Sequence, residues 1–561
     1  MRTIHKPTTV YRQHRENRQP HKLWKPLFAA LTAAMLLLLA ACGGNDKAAS
    51  GGASSAGSGG SAKAQTLVIG MSAANLPVPD TYPTEGYEGF RFVGFQIYDA
   101  LVNWDLSKSD APAALKPGLA ESWETSDSDN TMWTFHLRQG VSFTDGTPFD
   151  ADAVIFALDR IRNPKSEFYD AQLAGNSASG LRYIASYAKV DDATVTFKTT
   201  VPYSFLPYDL TNILIGSPDA IKKSGKSFSS QPVGTGPFKF VSMKQGQEMV
   251  LAKNESYWGG APKLDKIVLR PISDPSARLA AIQSGEVDWA EVPPTESIEL
   301  LKSAGYQILT NPYPHVWPYV LNLQDGPWKD VRVRQAANYA IDREGMSTAL
   351  LGGAAKPATQ PMYQGHAWFN DAAEPYSYDP EKAKRLLAEA GYPNGFQTTF
   401  VVPTSGSGNM WPIQMNEYVQ KNLKAVGIDV KIESIEWQSL LTSYIQGFPK
   451  DKEVGAYNIS LPTISPSFYA TFFASSAIFP NGINIGGYSN KDYDALLDKA
   501  MGEFDKSKQD EYLRQASKIL ADDAPWIYVV HDLNLRALSP KVKGFVQPQS
   551  WFADLKTISI E

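Results

Sequence analysis

The chain has 561 residues, of which 43% are hydrophobic, 11% aromatic and 20% charged, with a formal net charge of −5 and one cysteine. That length exceeds what a single hydrophobic core supports, and the aromatic content excludes a solvated, disordered chain. A lone cysteine excludes an intramolecular disulfide framework and any cysteine-cluster zinc site.

Charge and hydropathy mark off the beginning. In residues 1–41 seven basic side chains (Arg2, Lys6, Arg12, Arg15, Arg18, Lys22 and Lys25) oppose Glu16, a net +6 that leaves −11 on the rest of the chain. An acidic body argues against a nucleic-acid surface, which needs clustered Lys and Arg. The apolar run Leu27–Ala41 spans fifteen residues. It falls short of the roughly 20 needed to cross a bilayer but suits the apolar region of a secretory signal peptide. Leu39-Ala40-Ala41-Cys42 resembles the bacterial lipobox, in which the cysteine is diacylated and becomes the new N-terminus. Residues 42–65 are Gly-, Ser- and Ala-rich and predict a flexible linker, with order starting in a strand at Thr66–Ser72.

Further along, strands alternate with helical stretches. "SDPSARLAAIQSGEVDW" predicts a helix capped by Asp274, with Pro275 in its first turn and Gly285 ending it, then a short strand. "YDPEKAKRLLAEAGYPNG" repeats this grammar with Asp379, Pro380 and Gly391. "NEYVQKNLKAVGIDVKIESIEW" reads as a helix stopped at Gly427 and a strand through Val430 and Ile432. Such helix-then-strand units favour an α/β body with covered sheets.

Catalytic patterns are missing. The sequence has no His-Glu-x-x-His and no Gly-x-Ser-x-Gly, and the histidines beyond the leader (His136, His315, His366 and His531) are scattered. Ser224–Ser227, "SGKS", lacks the upstream glycine of a phosphate loop, because Ala220 stands there, and predicts a surface turn. "VGTGPF", Val233–Phe238, lacks the third glycine of a dinucleotide fingerprint and predicts a tight turn before a strand at Lys239–Phe240. No metal site and no cofactor are expected.

Several phrases, in order along the chain, resemble the family 5 extracellular solute-binding proteins of ABC transporters, the peptide- and nickel-type class. They include "LKPGLAESWE", "MWTFHLRQGVSFTDGTPFDADAV", "PVGTGPFKF", "NESYWGGAPKLDKIVLRPI", "LAAIQSGEVDWA", "WKDVRVRQAANYAIDRE" and "YDPEKAKRLLAEAGYP". The resemblance implies a two-lobed, type II periplasmic-binding-protein-like α/β fold that closes on a hinge around its ligand. Lobe I is expected at 66–311 with an extra subdomain at about 105–225, and lobe II at 312–525. A C-terminal return to lobe I follows at 526–561, with crossings near "NPYPHVWPYVLNL" and "DDAPWIYVV".

The resemblance implies a monomer that captures a small solute, a peptide or peptide-like molecule, and delivers it to an ABC permease. Lipid on Cys42 would hold it at the outer face of the cytoplasmic membrane, on a Gram-positive-like surface or in a periplasm. Alternatives are a signalling receptor, a binder of an oligosaccharide or metal chelate, and a secreted hydrolase. The charged anchors of dipeptide-binding relatives are not matched. Tyr457–Phe473 contains no carboxylate, with Leu461 near the ammonium-anchor position, and the loop "VVPTSGSGNMWP" has neither the arginine nor the tyrosine. Trp437 matches the tryptophan of the relatives' "YEW". Ligand pockets combine aromatic walls with a few polar groups. The expected ligand residues are therefore Asn409, Trp411, Trp437, Tyr457, Ser460 and Phe468 from lobe II, Trp317 and Tyr319 from a crossing, and Tyr82 and Tyr87 from the first long loop.

Overall fold

The computed structural model describes residues 64–126, 128–178 and 180–561. Cys42, the leader and nearly all of the linker lie outside the described residues. The body from Lys63 onward separates from residues 1–62 as its own unit.

Two seven-stranded sheets dominate the body. The first runs, edge to edge, Gln307–Leu309, Arg536–Leu538, Trp289–Glu291, Thr66–Met71, Lys266–Pro271, Glu248–Lys253 and Phe238–Lys244. Thr66–Met71, the strand expected from its β-branched run, is its parallel centre, pairing with Lys266–Pro271 and Trp289–Glu291. The second runs Ala355–Pro357, Trp526–Asp532, His315–Leu321, Ala456–Asn458, Phe396–Pro403 and Ile428–Ile435, with Leu461–Pro462 also beside His315–Leu321. A separate four-stranded antiparallel sheet spans Ala120–Thr125, Met132–Leu137, Thr194–Thr199 and Ile184–Asp191, within the stretch expected to form an insert.

Local chemistry sets the elements. Asp274 and Asp379 each accept a backbone N–H from the third residue of the helix they cap, at 2.7 and 2.8 Å, and a proline stands at the first helical position of both. Gly285, Gly391 and Gly427 all have positive φ where these helices end. Gly234 and Gly236 have a different reason from the tight turn expected of them. A Cβ would sit 2.2 Å from the Ile97 carbonyl oxygen on Gly234, and 2.5 Å from the Ile97 carbonyl carbon on Gly236. Backbone packs on backbone there, which only glycine allows.

The chain passes between the large sheets twice, between Leu309 and His315 and between Asp532 and Arg536. Trp526–Asp532 pairs with His315–Leu321 and Ala355–Pro357, so it belongs to the second sheet. The return to the first sheet therefore comes about seven residues later than the expected start at 526, because the two crossing strands pair with each other first. One apolar core joins the four-stranded sheet to a face of the second sheet, through Phe135, Phe197, Phe468 and Trp526 among others. Burial of each such side chain contributes about 1.5–3 kcal/mol.

Buried carboxyls make stability depend on pH. Burial pushes Asp209 up to about 7, although its bonds from Ser467 and Tyr203 pull the other way, and it pushes Asp532 up to about 6. A carboxyl whose folded value is raised contributes stability that is fully present below its unfolded value, near 4, and lost as pH rises through the folded value. Asp209→Asn is therefore expected to gain on the wild type by about 2–3 kcal/mol between pH 5 and pH 8. Paired urea-denaturation curves at the two pH values measure this, and equal differences at both would refute it.

Candidate functional site

The loop 404–410 joins the strand Phe396–Pro403 to the helix Pro412–Ala425. Gly406, Gly408 and Met410 all have positive φ, at 108°, 70° and 51°, so the loop folds tightly back on itself. Asn409 pins it. Its amide nitrogen donates to the carbonyls of Ser405 and Ser407 at 3.3 and 3.4 Å, and its oxygen accepts from Trp317 Nε1 at 3.2 Å.

The loop is the floor for Trp437, which opens the helix Trp437–Ile445. Glu436 caps that helix through the N–H groups of Gln438 and Ser439. A Cβ on Gly406 would lie 2.3 Å from the Trp437 ring, so the indole rests directly on the loop backbone. From the other side comes the segment around Glu85 and Gly86, in the connection after the first strand. A Cβ on Gly86 would lie 3.5 Å from Trp437 Cζ2 and 3.9 Å from Ser407 Cβ. Two hydrogen bonds tie this segment to the Trp437 helix. The Glu85 backbone N–H donates to Gln438 Oε1 at 3.2 Å, and Asn75 Nδ2 donates to Glu436 Oε1 at 3.4 Å.

An aromatic group continues this seam. Tyr87 stacks on Phe552 at 5.5 Å and leans on Trp551 at 5.3 Å. Trp551 in turn meets His315 edge-on at 5.2 Å and lies where a Cβ on Gly408 would come within 2.5 Å. Ser460 Oγ meets His315 Nε2 at 3.2 Å. Trp437, Asn409, Ser460 and Tyr87 thus line up along one seam between the region of the first sheet and that of the second.

The other expected residues sit elsewhere. Trp317 and Tyr319 are wholly buried in the core on the other face of the second sheet, where Tyr319 donates to Asn416. Trp317 reaches the seam only by holding Asn409. Trp411 is half-buried at the start of its helix and packs on the same core. Phe468 lies in the aromatic core with Phe472, Phe473 and Trp526. Tyr457 packs with Tyr444 and Phe448, its hydroxyl 2.8 Å from Ser443. Tyr82 packs edge-on against Phe90 and lines a cavity of about 20 Å³ with Thr81, Arg160 and Asn212, room for one water-sized group.

The seam also contains residues that the sequence did not single out for it: Glu85, Gly86, Ser407, Glu436, His315 and Trp551. Glu436 caps a helix, Trp437–Ile445, that was not predicted from the sequence. Trp551 carried no signal, because its neighbours lie hundreds of residues away.

Ser460, His315 and Asp532 look at first like a nucleophile, base and orienting carboxylate. The hydrogen bonds deny that role. His315 Nδ1 accepts the Asp532 backbone N–H at 3.2 Å, so the ring proton is on Nε2 and is directed at Ser460. The Asp532 carboxylate, 3.9 Å from Nδ1, instead accepts from the Tyr313 hydroxyl at 2.6 Å. Burial holds His315 down at about 3, so it stays neutral. Among the described residues no group of three or more His, Cys, Asp or Glu is placed to hold a metal ion. Nor is any described helix long and apolar enough to cross a membrane.

Residues 114–481 match the family model for bacterial extracellular solute-binding proteins, family 5. Heme-binding protein A of Haemophilus influenzae is 32% identical over 485 residues, covering 83% of this chain and 87% of that protein. The dipeptide-binding protein of Escherichia coli K12 is 30% identical over 529 residues, covering 89% and 97%. The structure is similar to that of an ABC transporter-associated periplasmic binding protein from Helicobacter pylori, solved with the peptide STSA. That match has a TM-score of 0.78 and 27% identity, and covers 88% of this chain and 98% of the other. Family model, sequence relatives and fold agree, and the chain belongs to the family 5 bacterial extracellular solute-binding proteins.

Proposed function

We propose that this protein is the extracytoplasmic solute-binding subunit of an ABC importer, which closes two lobes on a peptide or peptide-like solute and presents it to a membrane permease. The lobes would comprise about 66–311 with the return after 532, and 312–532, with the four-stranded sheet as an insert in the first. The observation that carries this reading is the seam itself. Aromatic rings from both sides (Tyr87, Trp437 and Trp551) enclose a Gly/Ser loop and buried polar groups, the composition of a small-solute site. A solute that touches both sides stabilises the closed arrangement by its differential affinity for it. The Nε2–H tautomer of His315 speaks for a binder rather than a hydrolase.

A thermal-shift screen with tri- and tetrapeptides, oligosaccharides and Ni²⁺ tests the reading, with mass spectrometry of the recovered ligand. Peptides are expected to raise the melting temperature and to be recovered intact. A shift with sugars alone would redirect the substrate class, and cleavage of the peptide would make the protein an enzyme.

The sequence motif at Cys42 supports a lipid anchor, with residues 43–65 as the tether. Cys42→Ser is expected to move the protein from the detergent phase to the aqueous phase in detergent partition. Retention of the variant in the detergent phase would refute acylation at this position.

A further inference from the structure

Glu85 is 2% exposed, and its Oε2 has no hydrogen-bond partner within the protein. Its backbone is left-handed, at φ 65° and ψ 23°, a conformation in which glycine would be the easy choice. Nearby Glu88, also buried, is fully served: it accepts from Ser72 N, Ser72 Oγ and Ala73 N at 2.7–3.0 Å. Among the described residues Glu85 takes part in no ion pair. Burial pushes its carboxyl up to about 7, and the charges of Glu436 and Glu88 push it the same way, against a hydrogen bond from Asn75. A buried carboxylate of this kind is costly unless a cation or a set of donors meets it.

Two further polar atoms in the same place lack partners. Trp437 Nε1, which can only donate, and Ser407 Oγ belong to side chains 3% and 4% exposed. A Cβ on Gly86, the residue after Glu85, would be 3.6 Å from that indole nitrogen. The unmet acceptor thus belongs to the residue next to Gly86, and Gly86 itself approaches the unmet donor and a hydroxyl able to act as either. The Glu436 carboxylate on the second side is already engaged, by Asn75 and by the N–H groups of Gln438 and Ser439, whereas Glu85 Oε2 is not.

We infer that Glu85 is the acceptor for a protonated amine of the solute, with Trp437 Nε1 and Ser407 Oγ donating to an oxygen carried next to that amine. This deepens the proposed function and rests on it for the peptide class. The amino end of a peptide offers an ammonium beside a carbonyl, the complement of this arrangement.

The test compares wild type and Glu85→Gln, as full chains freed of bound solute by unfolding and refolding. The probes are an equimolar mixture of tri- and tetrapeptides with free amino ends, the same mixture N-acetylated, and spermidine. The free mixture is expected to bind wild type about 10- to 100-fold more tightly than the acetylated one. E85Q should lose that preference, binding both mixtures at the acetylated level, with a melting temperature no lower than wild type. If wild type and E85Q bind free and acetylated peptides alike, the amine anchor is wrong while peptide binding stands. If no peptide binds but spermidine does so in a Glu85-dependent way, the anchor stands and the peptide reading falls. If none of the probes binds, both fall.

Discussion

Glu291→Ala is expected to lower the stability of the body by about 3–5 kcal/mol, the cost of leaving a buried charge without its partner. Glu291 ends the strand Trp289–Glu291 with its side chain 4% exposed. It accepts from Arg91 Nη1, from Arg536 Nε at 2.9 Å and from Trp289 Nε1 at 2.7 Å. Burial alone would raise this carboxyl, yet the two guanidinium groups bring it below its ordinary value. Arg91 and Arg536 are themselves buried, and Arg91 Nε also donates to the Trp551 carbonyl. One carboxylate thus ties together the segment after the Glu85 turn, the centre of the first sheet and the C-terminal return. Without it two desolvated guanidinium groups face each other. Urea denaturation measures the loss, and Glu291→Gln, which keeps the shape, should fall between the two if alanine prevents folding. As a control, Glu299→Ala removes an exposed pair with Lys302 and should change stability by less than about 1 kcal/mol. A loss at Glu291 no larger than that of the control would mean that the two guanidinium groups do not depend on it.

That cluster also shows what a sequence can and cannot disclose. The helices beginning at Pro275 and Pro380 were legible because their caps, prolines and terminal glycines act within a few residues of one another. The strand at Thr66 was legible from its β-branched run. In the seam, Trp437 was legible only through its match to the tryptophan of the relatives' "YEW", and the Gly/Ser loop by its composition, and the structure stacks one on the other. The placement of Trp317 and Tyr319 away from the seam was not legible, for a physical reason. Every residue of His315–Leu321 is buried, so the strand has no polar face, and alternation cannot tell the seam side from the core side. Glu85 and Trp551 were hidden differently. Their partners are 353 residues away in one case and 237 in the other, and no local pattern encodes such contacts. The return to the first sheet follows Asp532 rather than starting at 526, because Trp526–Asp532 pairs within the second sheet and its apolar run reads like any other buried strand.

Gly408→Ala should weaken solute binding as well as the fold. Gly408 has φ 70°, where a Cβ costs about 1 kcal/mol. The added methyl would sit 2.3 Å from Ser460 Oγ, 2.5 Å from Trp551 Cη2 and 3.1 Å from His315 Nε2. Overpacking of this kind costs about 1–3 kcal/mol more. Ser460 and His315 belong to the second sheet's region, whereas Trp551 comes from the C-terminal return to the first. Part of the clash therefore falls across the seam and is relieved when the two sides part. The substitution should penalise the closed arrangement selectively, and a solute must then overcome that penalty to close it. A selective penalty of about 1–2 kcal/mol, the share of the overpacking that falls across the seam, corresponds to about 5- to 30-fold weaker binding. Isothermal titration with the peptide that gives the largest thermal shift reads the affinity directly. Gly246→Ala supplies the control, since Gly246 also has positive φ, at 72°, but a Cβ there meets nothing within 4 Å. It should carry the backbone cost alone and leave affinity unchanged. If G408A binds as tightly as G246A, the contact between Gly408 and Trp551 is not part of the surface that closes on the solute.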